Sequence, residues 1–187
     1  MSLILASSSP FRKAILEKLG IAFETASPDI NESRENGESP FNLALRLSQE
    51  KALEVAKSHS GLIIASDQVA TLGNGNNAQD EIFTKPGSHE NAFLQLKSSS
   101  GKTITFLTGL ALLNTETLKI QTHVELFKVT FKQLSDNQIL SYLNKEDVLN
   151  CAGSFKSEGL GIALFSSMEG NDPNSLIGLP TIQLIKM

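Results

Sequence analysis

The stretch LILASSSPFRKAILEKLG, residues 3–20, sets the fold, because it reads as a strand, a short polar turn and a helix in immediate succession. Leu3–Ala6 reads as a short buried strand. Ser9 is a good helix N-cap, and Pro10 suits the first helical position, where its missing N–H costs nothing. Phe11, Ile15, Leu16 and Leu19 then share one apolar helical face, and Gly20 is a natural stop.

Working outward, residues 21–26 read as a second strand and residues 28–38 (PDINESRENGE) as a polar loop. Ser39 and Pro40 repeat the cap-plus-proline signal, so a helix is expected to about residue 59. Leu43, Leu47 and Leu53, or Ala44 and Val55, would face inward. Gly61 breaks that helix. Residues 62–65 form an apolar strand ending at Ser66, Asp67 and Gln68, with 69–72 continuing as a strand edge. The segment GNGNNAQDE is a mobile turn between strands. Ser88 opens a helix to about residue 99. Residues 102–113 and 119–131 are rich in Thr, Val, Ile, Phe and Leu and predict two long strands in a hairpin. Ser135 and Gln138 form a capping box for a helix to about residue 145. Residues 150–187 give a Gly/Ser loop, a short strand and a short final element. Early strand–helix alternation followed by a long hairpin predicts a mixed sheet flanked by helices, α/β with α+β as the neighbouring class. No repeat or separating linker interrupts residues 1–187, so one domain, or two tightly joined lobes, is expected.

Composition narrows the function. The formal net charge is −4 and no dense Lys/Arg run occurs, which argues against a nucleic-acid surface. A phosphate ligand would need a few cations gathered locally. Cys151 is the one cysteine, so no intramolecular disulfide can form, and it reads as a small buried residue. His59, His89 and His123 lack metal-ligand spacing and read as surface or loop residues. No apolar run approaches the roughly 18 residues of a membrane helix, and the start carries no basic leader, so a cytoplasmic protein is expected.

Five features carry chemistry. In ASSSPFRK a helix N-terminus, with Ser8, Arg12 and Lys13, suits a phosphate; an ordinary capped helix is the alternative. Asp67, after LIIAS, could bind a metal or take a proton from water, or cap a turn. Glu32, in DINE, offers a second carboxylate or a solvated charge. Lys51 and Lys85 could reach a polyphosphate or simply lie exposed. In GSFKSEGLG, Lys156 and Glu158 sit among glycines that let a backbone approach a ligand, though a flexible turn reads the same way. Three of these segments, 7–13, 66–68 and 154–158, are expected at the carboxyl ends of strands, where α/β sheets bind ligands.

Taken in order, LILASSSPFRK, the loop with Glu32, QEKA, IIASDQV, KPG, AGSFKSEGLG and the C-terminal GLP resemble the Maf-like nucleoside triphosphate pyrophosphatases over almost the whole chain. Gln68 after Asp67, CAGSFKSEG and the aromatic Phe11 are similar to the subfamily acting on 7-methyl-GTP. Members acting on dTTP and UTP have threonine after the aspartate. The chain departs from the commoner SPRR pattern at Phe11 and Lys13. The resemblance implies Asp67 as proton acceptor. It implies Phe11, Gln68 and Glu158 as base-selecting residues. Ser8, Arg12, Lys13, Lys51, Lys85 and Lys156 would face phosphate, and Glu32 with Asp67 would hold a divalent cation, Mg or Mn. It also implies a deep-clefted fold like that of inosine triphosphate pyrophosphatases, a small-molecule substrate rather than a membrane partner, and a homodimer, since members are often dimers. A dTTP, UTP or noncanonical-purine enzyme, or a regulator of septum formation with little turnover, stands as the alternative.

Overall fold

Two long antiparallel strands, β5 (Thr103–Asn114) and β6 (Lys119–Phe131), form the hairpin on which the remaining sheet is built. The structure is a computed structural model describing residues 2–187; Met1, the first residue of the expected domain, lies outside them. β3 (Leu62–Thr71) lies antiparallel to β5 along its full length, from Leu62 opposite Asn114 to Thr71 opposite Thr105. β1 (Leu3–Ala6) runs parallel to the first half of β3, and β2 (Glu24–Ala26) runs parallel to β1 at the edge. β7 (Phe165–Gly170) pairs with β6 at the opposite edge. The two-residue β4 (Ile82–Phe83) pairs with the end of β3. The order is therefore β2-β1-β3-β5-β6-β7, a mixed sheet of the α/β class.

Helices cover both faces. The side chains of a strand alternate between faces. Ile63 and Ala65 of β3 pack with Ile4, Ala6, Ala52, Val55 and Ala111, under α2 (Pro40–Ala56). Ile64 packs on the other face with Leu5, Ile15, Leu16, Leu110 and Leu179, under α1 (Pro10–Lys18) and the segment joining α5 (Pro173–Ile177) to α6 (Thr181–Lys186). A further core fills the far end of the hairpin. There Phe106, Phe127, Val129 and Phe131 meet α3 (His89–Ser99), α4 (Asp136–Leu143) and Phe155. The expected caps are present: Ser9, Ser39, Ser88 and Ser135 each accept a hydrogen bond from the backbone N–H three residues on.

Four expectations need correction. The second strand is three residues long rather than six, because β1 offers partners only for residues 24–26. α2 ends at Ala56, and Leu53 is 52% exposed. Six residues after Leu47, Leu53 lies about 240° round the helix, whereas Ala44, Ser48, Lys51 and Val55 fall on the covered side. Residues 66–68 are not a strand end: pairing with β5 runs unbroken into the continuation expected from residue 69, through Thr71, so Asp67 is mid-strand. Residues 154–158 follow a turn and precede a 3-10 turn (Leu160–Leu164), not a strand end.

Candidate active site

β1 pairs with β3 only as far as Ala65, and β4 takes up the same side of β3 at Ala70. Between them, residues 66–69 are paired on one side only, by β5. A cleft of about 870 Å³ opens at this gap, within the range of small-molecule sites. Asp67 and Gln68 project to opposite faces of the sheet, yet both line the cleft because it opens at the strand's edge.

Asp67 turns toward α2. It is 8% exposed, and its Oδ1 lies 2.5 Å from Nζ of Lys51, itself 6% exposed. The same Nζ lies 2.6 Å from Oε1 of Glu32, so one lysine holds both acids within about 5 Å of each other. The close approach of α2 depends on Gly109, the residue opposite Asp67 on β5. A Cβ there would run into the Ala44 carbonyl. Ala44 and Lys51 are seven residues apart, two turns along the same face, so the approach at Ala44 also delivers Lys51. Burial raises the Glu32 carboxyl, but the hydrogen bond and charge of Lys51, with Lys85 and Arg12, more than offset it and hold Glu32 below the usual carboxylate range.

Gln68 turns the other way, toward α5. Its Nε2 donates to the Ser175 carbonyl (2.8 Å) and the Leu176 carbonyl (3.0 Å), with Thr108 Oγ1 at 3.1 Å. The donors are thus spent on the protein, and the Oε1 acceptor remains for a ligand. Arg12 is steered similarly: Nε donates to the Gly178 carbonyl (2.8 Å) and Nη1 lies 3.4 Å from Ser7 Oγ. Burial lowers the Arg12 guanidinium, opposed by the charges of Asp67 and Glu32. Ser8 and Phe11 line the cleft at the N-terminal end of α1.

The opposite wall is the segment 150–158. Ser154 holds a positive φ of 62° and donates through Oγ to Gln95 Oε1 at 2.6 Å. Phe155 is wedged edge-on among Phe106, Phe131 and Phe165. The Lys156 N–H donates to the Tyr142 hydroxyl (3.1 Å). These three anchors present Lys156 and Glu158 to the cleft, with Lys156 Nζ 6.0 Å from the Phe11 ring centre.

Of the residues singled out in the sequence, Ser8, Phe11, Arg12, Glu32, Lys51, Asp67, Gln68, Lys85, Lys156 and Glu158 come together around this cleft. Lys13 does not. One position on from Arg12 it is turned about 100° round α1, and it pairs with Glu17 at 3.8 Å on the outer surface. Cys151 is half-buried rather than buried and lines the cleft; burial pushes its thiol up to about 11, so it stays protonated at neutral pH. Asp147 and Asn150 also line the cleft, and nothing marks them in the sequence beyond their place before CAGSFKSEG. His59 and His89 lie outside the cleft lining, and His123 pairs with Glu125 on β6.

Among the lining residues Arg12, Lys51, Lys85 and Lys156 face Glu32, Asp67, Asp147 and Glu158, four cations against four carboxylates. Among the described residues no group of three or more His, Cys, Asp and Glu is arranged as a metal cage. Glu32 and Asp67 offer the one or two carboxylates that a magnesium-type ion uses beside phosphate and water oxygens, at a place where Lys51 Nζ bridges them at 2.6 and 2.5 Å.

The sequence model of the family described as Maf-like protein matches residues 2–187. The chain belongs to the Maf-like family. The Maf-like chain is similar to the 7-methyl-GTP pyrophosphatase of Pseudoalteromonas atlantica, 56% identical over 187 residues, covering 100% of this chain and 93% of the relative. It is also similar to the 7-methyl-GTP pyrophosphatase of Alcanivorax borkumensis, 53% identical over 184 residues, 98% of this chain and 90% of the relative. Among solved structures it resembles the Staphylococcus aureus Ham1 protein, with a TM-score of 0.49, 12% identity, and 71% and 73% of the two chains covered. It also resembles a dITP/XTP pyrophosphatase of Mycobacterium abscessus, with a TM-score of 0.43, 20% identity, and 72% and 76% covered. No helix among the described residues is long and apolar enough to cross a membrane.

Proposed function

We propose that this Maf-like chain is a nucleoside triphosphate pyrophosphatase that converts 7-methyl-GTP to 7-methyl-GMP and diphosphate. The observation that carries the reading is the pair Asp67 and Glu32 held by Lys51 on the floor of a cleft whose walls bring Arg12 and Lys85. The names of the two relatives support the substrate.

In this reading the triphosphate lies between the start of α1 and Lys85. Arg12, already anchored to the Gly178 carbonyl, presents its remaining donors to phosphate oxygens without reorganising. An incoming polyanion competes for Lys51, loosening its hold on Asp67. Asp67 then accepts a proton as water attacks the α-phosphorus; the new P–O bond forms as the bond to the diphosphate oxygen breaks. A divalent cation held by Glu32 and Asp67 would supply neutralisation of phosphate charge. Lys85 and Arg12 stabilise the departing diphosphate.

Base selection falls to Phe11, Gln68 and Glu158. Methylation at N7 gives guanine a positive charge. Such a ring is attracted to the Phe11 face and the Glu158 carboxylate, while Gln68 Oε1 accepts from a donor on the base. A panel of 7-methyl-GTP, GTP, dTTP and UTP at fixed Mg tests this. The highest kcat/KM is expected for 7-methyl-GTP, and a preference for either pyrimidine would overturn the assignment.

A further inference from the structure

Glu32 lies in a segment, residues 27–38, that contains neither helix nor strand, and its side chain is 56% exposed. Such a segment has no ladder to fix it, so beyond the ion pair of the carboxylate with Lys51 something must hold its backbone in register with the cleft. The structure places that hold on Arg46. This residue sits on α2 five positions before Lys51, with its side chain 19% exposed. Its guanidinium forms a two-pronged pair with Glu38, Nε to Oε1 at 2.7 Å and Nη2 to Oε2 at 2.9 Å. The same Nη2 donates to the Ser33 carbonyl at 3.0 Å, one residue beyond Glu32. Nη1 is braced by Glu50 at 3.2 Å.

Glu38 is the other half of the device. Its side chain is 8% exposed, and Oε2 also accepts from the Glu35 N–H at 3.0 Å. Its carbonyl accepts from Arg34 Nε at 2.7 Å, and Arg34 Nη1 reaches the Asp80 carbonyl at 3.1 Å in the turn before β4. The segment is thereby fastened to α2 on one side and to the turn leading to Lys85 on the other. The hydrogen bond from Arg46 outweighs burial and holds the Glu38 carboxyl below its usual range, as a persistent ion pair requires. An exposed single-pronged pair would contribute little. A planar fork that also grips a backbone carbonyl is directional, and a lysine cannot copy it.

We propose that Arg46, acting through Glu38 and the Ser33 carbonyl, is the positioning residue that holds Glu32 in the cleft. The inference rests on the reading of Glu32 as a working carboxylate of the pyrophosphatase. It assigns Arg46 and Glu38 no contact with substrate.

The test is a double-mutant cycle in kcat/KM with 7-methyl-GTP and Mg, using Glu32→Gln, Arg46→Met and the two combined, with amide hydrogen exchange on the same proteins. Partners one layer behind working ligands are expected to cost roughly 10–100-fold. Arg46→Met should lose activity in that range, and the combined variant should be no slower than Glu32→Gln alone. Exchange should quicken at the Ser33 and Glu35 amides while α2 and β3 stay protected. Arg46→Lys should not restore the rate. Wild-type activity in Arg46→Met, or losses that multiply in the combined variant, would overturn the proposal. A Glu32→Gln protein of normal activity would instead remove Glu32 from the working site, and with it the need for a positioning residue. If Arg46→Met does not fold, the near-isosteric Glu38→Gln takes its place in the cycle, with the same outcomes.

Discussion

Replacing Lys51 with methionine keeps most of the side chain's bulk on α2 and removes the ammonium that contacts both Asp67 and Glu32. Two carboxylates then face each other within about 5 Å. At an effective dielectric of about 20 the repulsion is about 3 kcal/mol. Because Glu32 is more than half exposed, solvent reduces this to about 1–2 kcal/mol. The repulsion is relieved if one proton is taken up by the pair, so the variant's folded state binds protons more readily than its unfolded state. Its stability should therefore rise as pH falls from neutral toward the ordinary carboxylate range. The native protein has the opposite slope at this site. Glu32 is held low in the folded state, so its contribution is present above the ordinary carboxylate pKa and is lost as pH falls through the folded value. Urea unfolding of both proteins at several pH values between about 4.5 and 8 reads this difference. Lys51→Met should be least stable near neutrality and gain on mild acidification. An unchanged pH slope would refute the electrostatic account of the triad.

Further outcomes follow from the same geometry. Asp67→Asn should fold and melt close to the native protein yet lose roughly 10²–10⁴-fold in kcat; near-native turnover in a folded variant removes Asp67 as proton acceptor. Gly109→Ala drives a Cβ into the Ala44 carbonyl, so α2 must shift. A loss of about 1–3 kcal/mol in urea unfolding is expected, with a fall in kcat as Lys51 moves; an unchanged protein would show that α2 is not seated by that glycine. The Cys151 thiol, raised to about 11, should react slowly with iodoacetamide at pH 7.5 although it lines the cleft. Rapid alkylation would show that the thiol is far less shielded than its surroundings indicate.

The fold was legible wherever a local signal coincided with the tertiary outcome. Four serine caps, two of them followed by proline, mark α1 to α4, and the Thr/Val/Ile/Phe-rich runs mark β5 and β6. The misplaced features are those set by partners distant in sequence. β2 is cut to three residues by the length of β1, and β3 runs past Asp67 because β5 pairs with it to Thr71. That second effect changes how the site is built. Asp67 and Gln68 enter the cleft from mid-strand, through a gap between β1 and β4 that no periodicity reveals. The gathering of Glu32, Lys51 and Asp67 followed from ordered motifs rather than spacing, since the three lie on a loop, a helix and a strand. Lys13 was misplaced because adjacency to Arg12 is not proximity on a helix. Nothing in the sequence singles out Arg46 or Glu38, and only the folded segment 27–38 shows that they meet.

In the proposed reaction water attacks the α-phosphorus, with Asp67 beside it to take the proton. A single turnover of 7-methyl-GTP in ¹⁸O-labelled water, with both products analysed by mass spectrometry, tests this directly. One labelled oxygen is expected in the nucleoside monophosphate and none in the diphosphate. Label in the diphosphate, or release of inorganic phosphate in its place, would contradict it.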